Sequence, residues 1–105
     1  MNVNLGLIFC TCPRALADEL ARELASQELA ICVTTFPVSW SRSAWETHPH
    51  LDDNALMVIT AAEECIDAAY GLILDAHPST RTPVVTVPID SSYEGYIEWM
   101  ESKLA

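Results

Sequence analysis

The sequence predicts an α+β fold: an antiparallel sheet with two helices on one face, in the order β-α-β-β-α-β, with a long ribbon made by the second and third strands and an added C-terminal helix. Three observations predict it. Residues 5–12 are apolar and carry no charge, the pattern of a central strand buried on both faces. Leu16, Leu20 and Leu24 recur every four residues, the stripe of an amphipathic helix. Residues 29–61 hold two apolar stretches with turn residues between them, which read as one long β-ribbon.

Taken in order, Thr11-Cys12-Pro13 ends the first strand, and Pro13 suits the first turn of a helix, where its missing N–H is no loss. The first helix is expected over residues 14–27, with Asp18, Glu19, Arg22 and Glu23 on its wet face. In the ribbon, Leu29, Ile31 and Val33 alternate with Ala30, Cys32 and Thr34, a period-2 strand signal. His48-Pro49-His50 and Asp52-Asp53-Asn54 supply turn chemistry, and the return strand ends at Thr60. Thr60 and Glu63 have capping-box spacing, so a second helix is expected over residues 62–76, with Ile66, Ala69, Tyr70, Ile73 and His77 on one face. His77-Pro78 stops it. Residues 84–89 form the fourth strand, and Pro88 makes it an edge or a bulge. Ser91 and Glu94 repeat the capping-box spacing before a last helix that carries Tyr93, Ile97, Met100 and Leu104 on one face. This order is the split βαβ, ferredoxin-like arrangement.

The ribbon is too long to lie wholly over the core. Residues 30–46 would span roughly 50 Å if straight, against about 26 Å for a compact domain of this size. Part of it should project and expose Phe36, Trp40 and Trp45. Exposed aromatics and unpaired strand edges call for a partner, and the cheapest partner is another copy of the chain.

The length of 105 residues allows one domain. Fifteen acidic residues against five basic ones give a net charge of −10. That excludes nucleic acid and anionic membrane surfaces as partners, because both need a basic footprint. No apolar run approaches the roughly 18 residues of a membrane span, and residues 1–4 lack a leader-like pattern. The chain is therefore expected to be cytoplasmic, with Cys10, Cys12, Cys32 and Cys65 reduced. There is no Gly-rich phosphate loop, nucleophile elbow or His-Glu metalloprotease spacing, so no enzyme is expected.

Along nearly its whole length the chain resembles the CutA family, small proteins named for divalent-cation tolerance. The resemblance is carried by Thr11-Cys12-Pro13, Leu29-Ala30-Ile31-Cys32-Val33, Pro37, Trp45-Glu46, His77-Pro78, Val87-Pro88-Ile89 and Tyr96-Ile97-Glu98-Trp99, in that order. It implies a ferredoxin-like fold and a homotrimer in which ribbons pair across subunits. It also implies a link to copper and other divalent metals, for some members an anchoring role toward other proteins, and no firm enzymatic activity. Departures fall on polar positions of the family's intersubunit cleft. Ser43 stands where the family has Tyr, Thr60 where it has Lys, Ser79-Thr80 where it has Tyr-Glu, and Pro83-Val84 where it has Pro-Glu. These mark a divergent member that keeps the trimer with an altered or lost cleft.

The candidate metal ligands are His77, Cys32, His48 and His50. His48 and His50 lie close to Asp52 and Asp53, a donor set that suits Cu(II), Zn(II) or Ni(II); the alternative is an exposed polar turn. His77 matches the family's histidine and ends a helix beside the cleft loop; the alternative is a helix cap. Cys32 matches a family position; the alternative is packing. Cys10 and Cys12 point to one face of a strand and offer two thiolates for Cu(I), or act as small buried hydrophobes. Trp45, Glu46, Ser79 and Trp99 are read as cleft or structural residues, the tryptophans as apolar area at subunit contacts. Two readings of function compete: a metal-binding trimer in divalent-cation tolerance, and a trimeric scaffold that binds another protein. A small-ligand sensor is a third, disfavoured by the lost polar positions.

Overall fold

Apolar side chains on both faces of the first strand place it at the centre of the sheet. The computed structural model describes residues 4–38, 54–77 and 84–104. In chain order the elements are β1 (Leu5–Pro13), α1 (Arg14–Ser26), β2 (Cys32–Val38), β3 (Asn54–Ala62), a 3-10 turn (Glu63–Cys65), α2 (Ile66–Ala76), β4 (Val84–Pro88) and α3 (Glu94–Leu104). The strands form one antiparallel sheet in the order β2-β3-β1-β4. This is the expected ferredoxin-like topology, with β4 on an edge as Pro88 requires.

The register sorts the side chains into two faces. Ile8 pairs with Ile59 and Thr86, Cys10 with Met57 and Val84, and Cys12 with Ala55. These residues join Ala17, Leu20 and Leu24 of α1 and Ala69 and Ile73 of α2 in one buried cluster. Fully burying such a Leu or Ile stabilises the fold by about 1.5–3 kcal/mol.

The opposite face carries Leu7, Phe9 and Thr11 of β1, Leu56, Val58 and Thr60 of β3, Val85 and Val87 of β4, and Cys32, Thr34 and Phe36 of β2. None of these is charged. Phe36, Val85 and Val87 are 49%, 59% and 44% exposed. Strand β1 is apolar on two sides, yet in the single chain helices α1 and α2 cover only one of them.

Two local signals lose to longer-range pairing. Thr60 does not cap a helix: it pairs with Leu7 and Cys32, β3 runs on to Ala62, and the next turn is a 3-10 turn with no side-chain cap. The ladder satisfies two strands at once, which outweighs one hydroxyl cap. The last helix begins at Glu94, so Ser91 lies three residues before it. Tyr93, which the period puts on one face with Met100, is 81% exposed, while Met100 is fully buried. The described β2–β3 ladder ends with Val38 opposite Asn54, level with Pro13. Residues 39–53, where projection was expected, lie outside the described residues.

Helix α1 ends without glycine. Glu28 takes φ 57°, its N–H bonds Ala25 O at 3.1 Å, and Leu29 N–H bonds Leu24 O at 2.9 Å. This is a complete Schellman cap with glutamate in the left-handed position. A side chain there costs on the order of 1–2 kcal/mol. Glu28→Gly is therefore expected to stabilise the protein by about 1 kcal/mol, raising Tm by roughly 4–8 °C in thermal melts at fixed protein concentration. A lowered Tm would show that the glutamate side chain does something in the fold beyond tolerating its backbone.

Candidate functional site

Helix α2 ends at Ala76 because His77 leaves helical geometry, with φ −72° and ψ 134°, while its N–H still bonds Ile73 O at 2.9 Å. This holds the imidazole, which is half-buried, against the end of β1. Nε2 lies 2.8 Å from the carbonyl oxygen of Thr11. A carbonyl only accepts, so Nε2 carries the hydrogen and, in the neutral ring, Nδ1 holds the lone pair. Sequence reasoning found His77 but not its partner, because a backbone carbonyl carries no residue identity. The bond ties the end of α2 to the backbone of β1 between Cys10 and Cys12.

Cys32 opens β2 opposite Thr60, on the sheet face away from the helices. Thr11 pairs with Leu56, four residues along β3 from Thr60, or about 13 Å. Within one chain, therefore, Cys32 and His77 are on different faces and in different places. Trp99 is 45% exposed and stacks on Tyr96, with ring centroids 5.9 Å apart and planes 9° from parallel. The Lys103 ammonium lies 5.4 Å from the Trp99 ring centre. Both residues line a cleft of about 470 Å³ with Glu28, Leu29, Glu64 and Cys65. His48, His50, Trp45, Glu46 and Ser79 lie outside the described residues.

The contact that sequence reasoning missed is a third sulfur. Cys12 Sγ lies 3.8 Å from the thioether of Met57, both buried. Cys10 Sγ approaches Thr11 O at 3.9 Å. Hydrogen bonding to Cys12, then burial, pushes the Cys10 thiol far above the ordinary range, and the same bond lowers Cys12 against the opposing effect of burial. The missing signal was the register of β3, which brings Met57 opposite Cys10 across 47 residues of sequence.

Among the described residues no three His, Cys, Asp or Glu side chains gather closely enough to hold a metal ion. The described donors of one chain therefore do not by themselves fit a divalent cation, which takes three or four such ligands. Among the same residues no helix is long and apolar enough to cross a membrane.

Comparison with known proteins places this geometry. The family model described as CutA1 divalent ion tolerance protein matches residues 6–103. Protein CutA of Homo sapiens is 28% identical over 98 residues, which are 92% of this chain and 55% of that protein. The chain thus spans about half the length of the first curated relatives it matches. A crystal structure of CutA1 from Oryza sativa is 26% identical, covers 96% of this chain and 94% of that one, and superposes with a TM-score of 0.83. CutA from Archaeoglobus fulgidus is 22% identical, covers 96% and 99%, and has a TM-score of 0.82. That protein is described as a periplasmic divalent cation tolerance protein, which overturns the cytoplasmic placement. The physical reason is that the pattern of a few N-terminal residues reports on a leader and not on where this fold works.

Proposed function

The chain belongs to the CutA1 divalent ion tolerance protein family, and from that premise we propose that it is a non-enzymatic homotrimer that takes up a divalent cation such as copper or zinc and acts in divalent-cation tolerance. The observation that carries the reading is the uncharged sheet face. Its apolar side chains from all four strands, with Phe36, Val85 and Val87 well exposed, form a surface that a second copy can cover without burying a charge. Covering it places Cys32 at a subunit contact. The cation half rests on the family description and on His77, His48 and His50. A divalent site then needs the turn histidines, a neighbouring copy, or both to complete it.

A second reading, a trimeric scaffold for another protein, is favoured by α3. Its Tyr96 and Trp99 are 41% and 45% exposed, and Tyr93, the residue before it, is 81% exposed, an aromatic surface of the kind that anchors protein contacts.

Native mass spectrometry with and without equimolar Cu(II) or Zn(II) tests the first reading. The expected result is a trimer that gains a fixed number of metal ions per subunit. The double variant His48→Ala with His50→Ala is expected to keep the trimer mass and lose that metal. A trimer that stays bare moves the function to the scaffold, and a monomer in both conditions ends both readings.

A further inference from the structure

We propose that the cleft beside α3 binds an aliphatic diamine in its doubly protonated form. The turn that ends α1, the turn that follows β3 and the side of α3 enclose about 470 Å³, within the roughly 300–1,000 Å³ of small-molecule sites. Among the described residues the lining carries two carboxylates, Glu28 and Glu64, against one ammonium, that of Lys103. The net charge of −10 on the whole chain draws cations toward it and opposes anions. Glu28, Glu64 and Cys65 do not gather closely enough to hold a metal ion, so the cation that suits these spread charges is an extended organic one. Glu28 also lines the cleft from a left-handed backbone position where glycine is the cheaper residue.

The protein's own lysine shows how the cleft receives an ammonium. Trp99 presents a half-exposed indole face whose plane is set by its stack on Tyr96. The Lys103 ammonium lies 5.4 Å from the centre of that ring, inside the roughly 6 Å reach of a cation–π contact. Lys103 is exposed, so water can take its charge when another ammonium replaces it on the indole. The lining then presents two negative charges to a ligand with two positive ones. One ammonium takes the Trp99 face, the other pairs with the carboxylates, and the methylene chain lies along Leu29. Aliphatic amines ionise as lysine does, so the ligand enters with both protons and no bond is made or broken. None of His77, His48, His50 and Cys32 takes part, so the site is independent of the divalent reading.

The test is calorimetric titration of the full chain at low salt with diaminopentane, which has an amine at each end, and with pentanediol as its neutral counterpart. Saturable uptake of one diamine per chain is expected, and none of the diol. Lys103→Met, which keeps the apolar stem and removes the competing charge, should tighten binding about fivefold. Trp99→Leu should weaken it about tenfold. Glu28→Gly should weaken it about fivefold even though that variant melts higher. Glu19→Gln, at an exposed carboxylate on the wet face of α1, should change nothing. The idea is overturned if the wild type takes up no diamine, if the diol binds as well, or if Lys103→Met fails to tighten binding. It is equally overturned if Glu19→Gln weakens binding as much as Glu28→Gly, the mark of a diffuse attraction to acidic surface. Should Trp99→Leu fail to fold, the Lys103→Met and Glu28→Gly results still decide. Failure here with metal uptake at His48 and His50 intact would leave the divalent reading standing; the converse would remove that reading alone.

Discussion

Val58→Asp is expected to turn the proposed homotrimer into folded monomers. Val58 lies on the uncharged sheet face, flanked in register by Phe9 on β1 and Thr34 on β2. In a free chain it is half-buried, so an aspartate there keeps much of its water and the fold survives. In an assembly that covers this face the carboxylate is buried, and among the described residues the face offers no Lys or Arg to pair it. An unpaired buried charge costs several kcal/mol. At about 1.4 kcal/mol per tenfold, a penalty of about 4 kcal/mol weakens each contact roughly a thousandfold. Light scattering at micromolar concentration reads the mass, and circular dichroism checks the fold. A trimer that persists would show that the subunits meet elsewhere.

Ile8→Ala is expected to have the largest effect on stability. Ile8 is completely buried, lies on the central strand between Ile59 and Thr86, and belongs to the cluster that joins the sheet to both helices. Neighbours tied into three strands cannot collapse into the space it leaves. The cost should be about 3–4 kcal/mol, a large share of the roughly 5–15 kcal/mol that holds a domain folded. Tm should fall by roughly 12–30 °C, measured at fixed protein concentration. Ile8→Val, which keeps most of the volume, should cost only about 1 kcal/mol. Trp99→Ala, at a half-exposed position, should fall well short of Ile8→Ala in the same melts. Equal losses for the two would mean that α3 is as much a part of the core as β1.

Much of this architecture was legible in residue order because its signals are periodic and local. Leu20 and Leu24 mark the buried stripe of α1, Ala69 and Ile73 that of α2, and the uncharged 5–12 stretch marks a central strand. What was not legible depends on pairs far apart in the chain. Thr60 and Glu63 have the spacing of a helix start, but pairing with Leu7 and Cys32 keeps Thr60 in a strand. Tyr93 shares a helical period with Met100, but the helix begins one residue after Tyr93, which stays exposed. At the candidate site, His77 could be picked out by its place after α2, but its bond to the Thr11 carbonyl could not. The approach of Met57 to Cys12 follows from strand register, which composition and spacing leave open. Cys32 and His77 looked like members of one set because both match the family's motifs; β2 and α2 put them on opposite sides of the sheet.

The strand order also sets a timetable for synthesis. Strand β1 leaves the ribosome first among the described strands, yet it pairs only with β3 and β4, joining Leu5 to Ala62 and Gly6 to Pro88. Roughly 75 further residues must be made before both neighbours exist, about 4–15 s at 5–20 residues per second. Through that interval the nascent chain carries an apolar segment with Ile8 uncovered, while α1 can form locally and lie against it as a temporary shield. The thiols of Cys10 and Cys12 are open to oxidants and metal ions in those seconds and closed afterwards, so the period of birth is when their chemistry is most easily diverted.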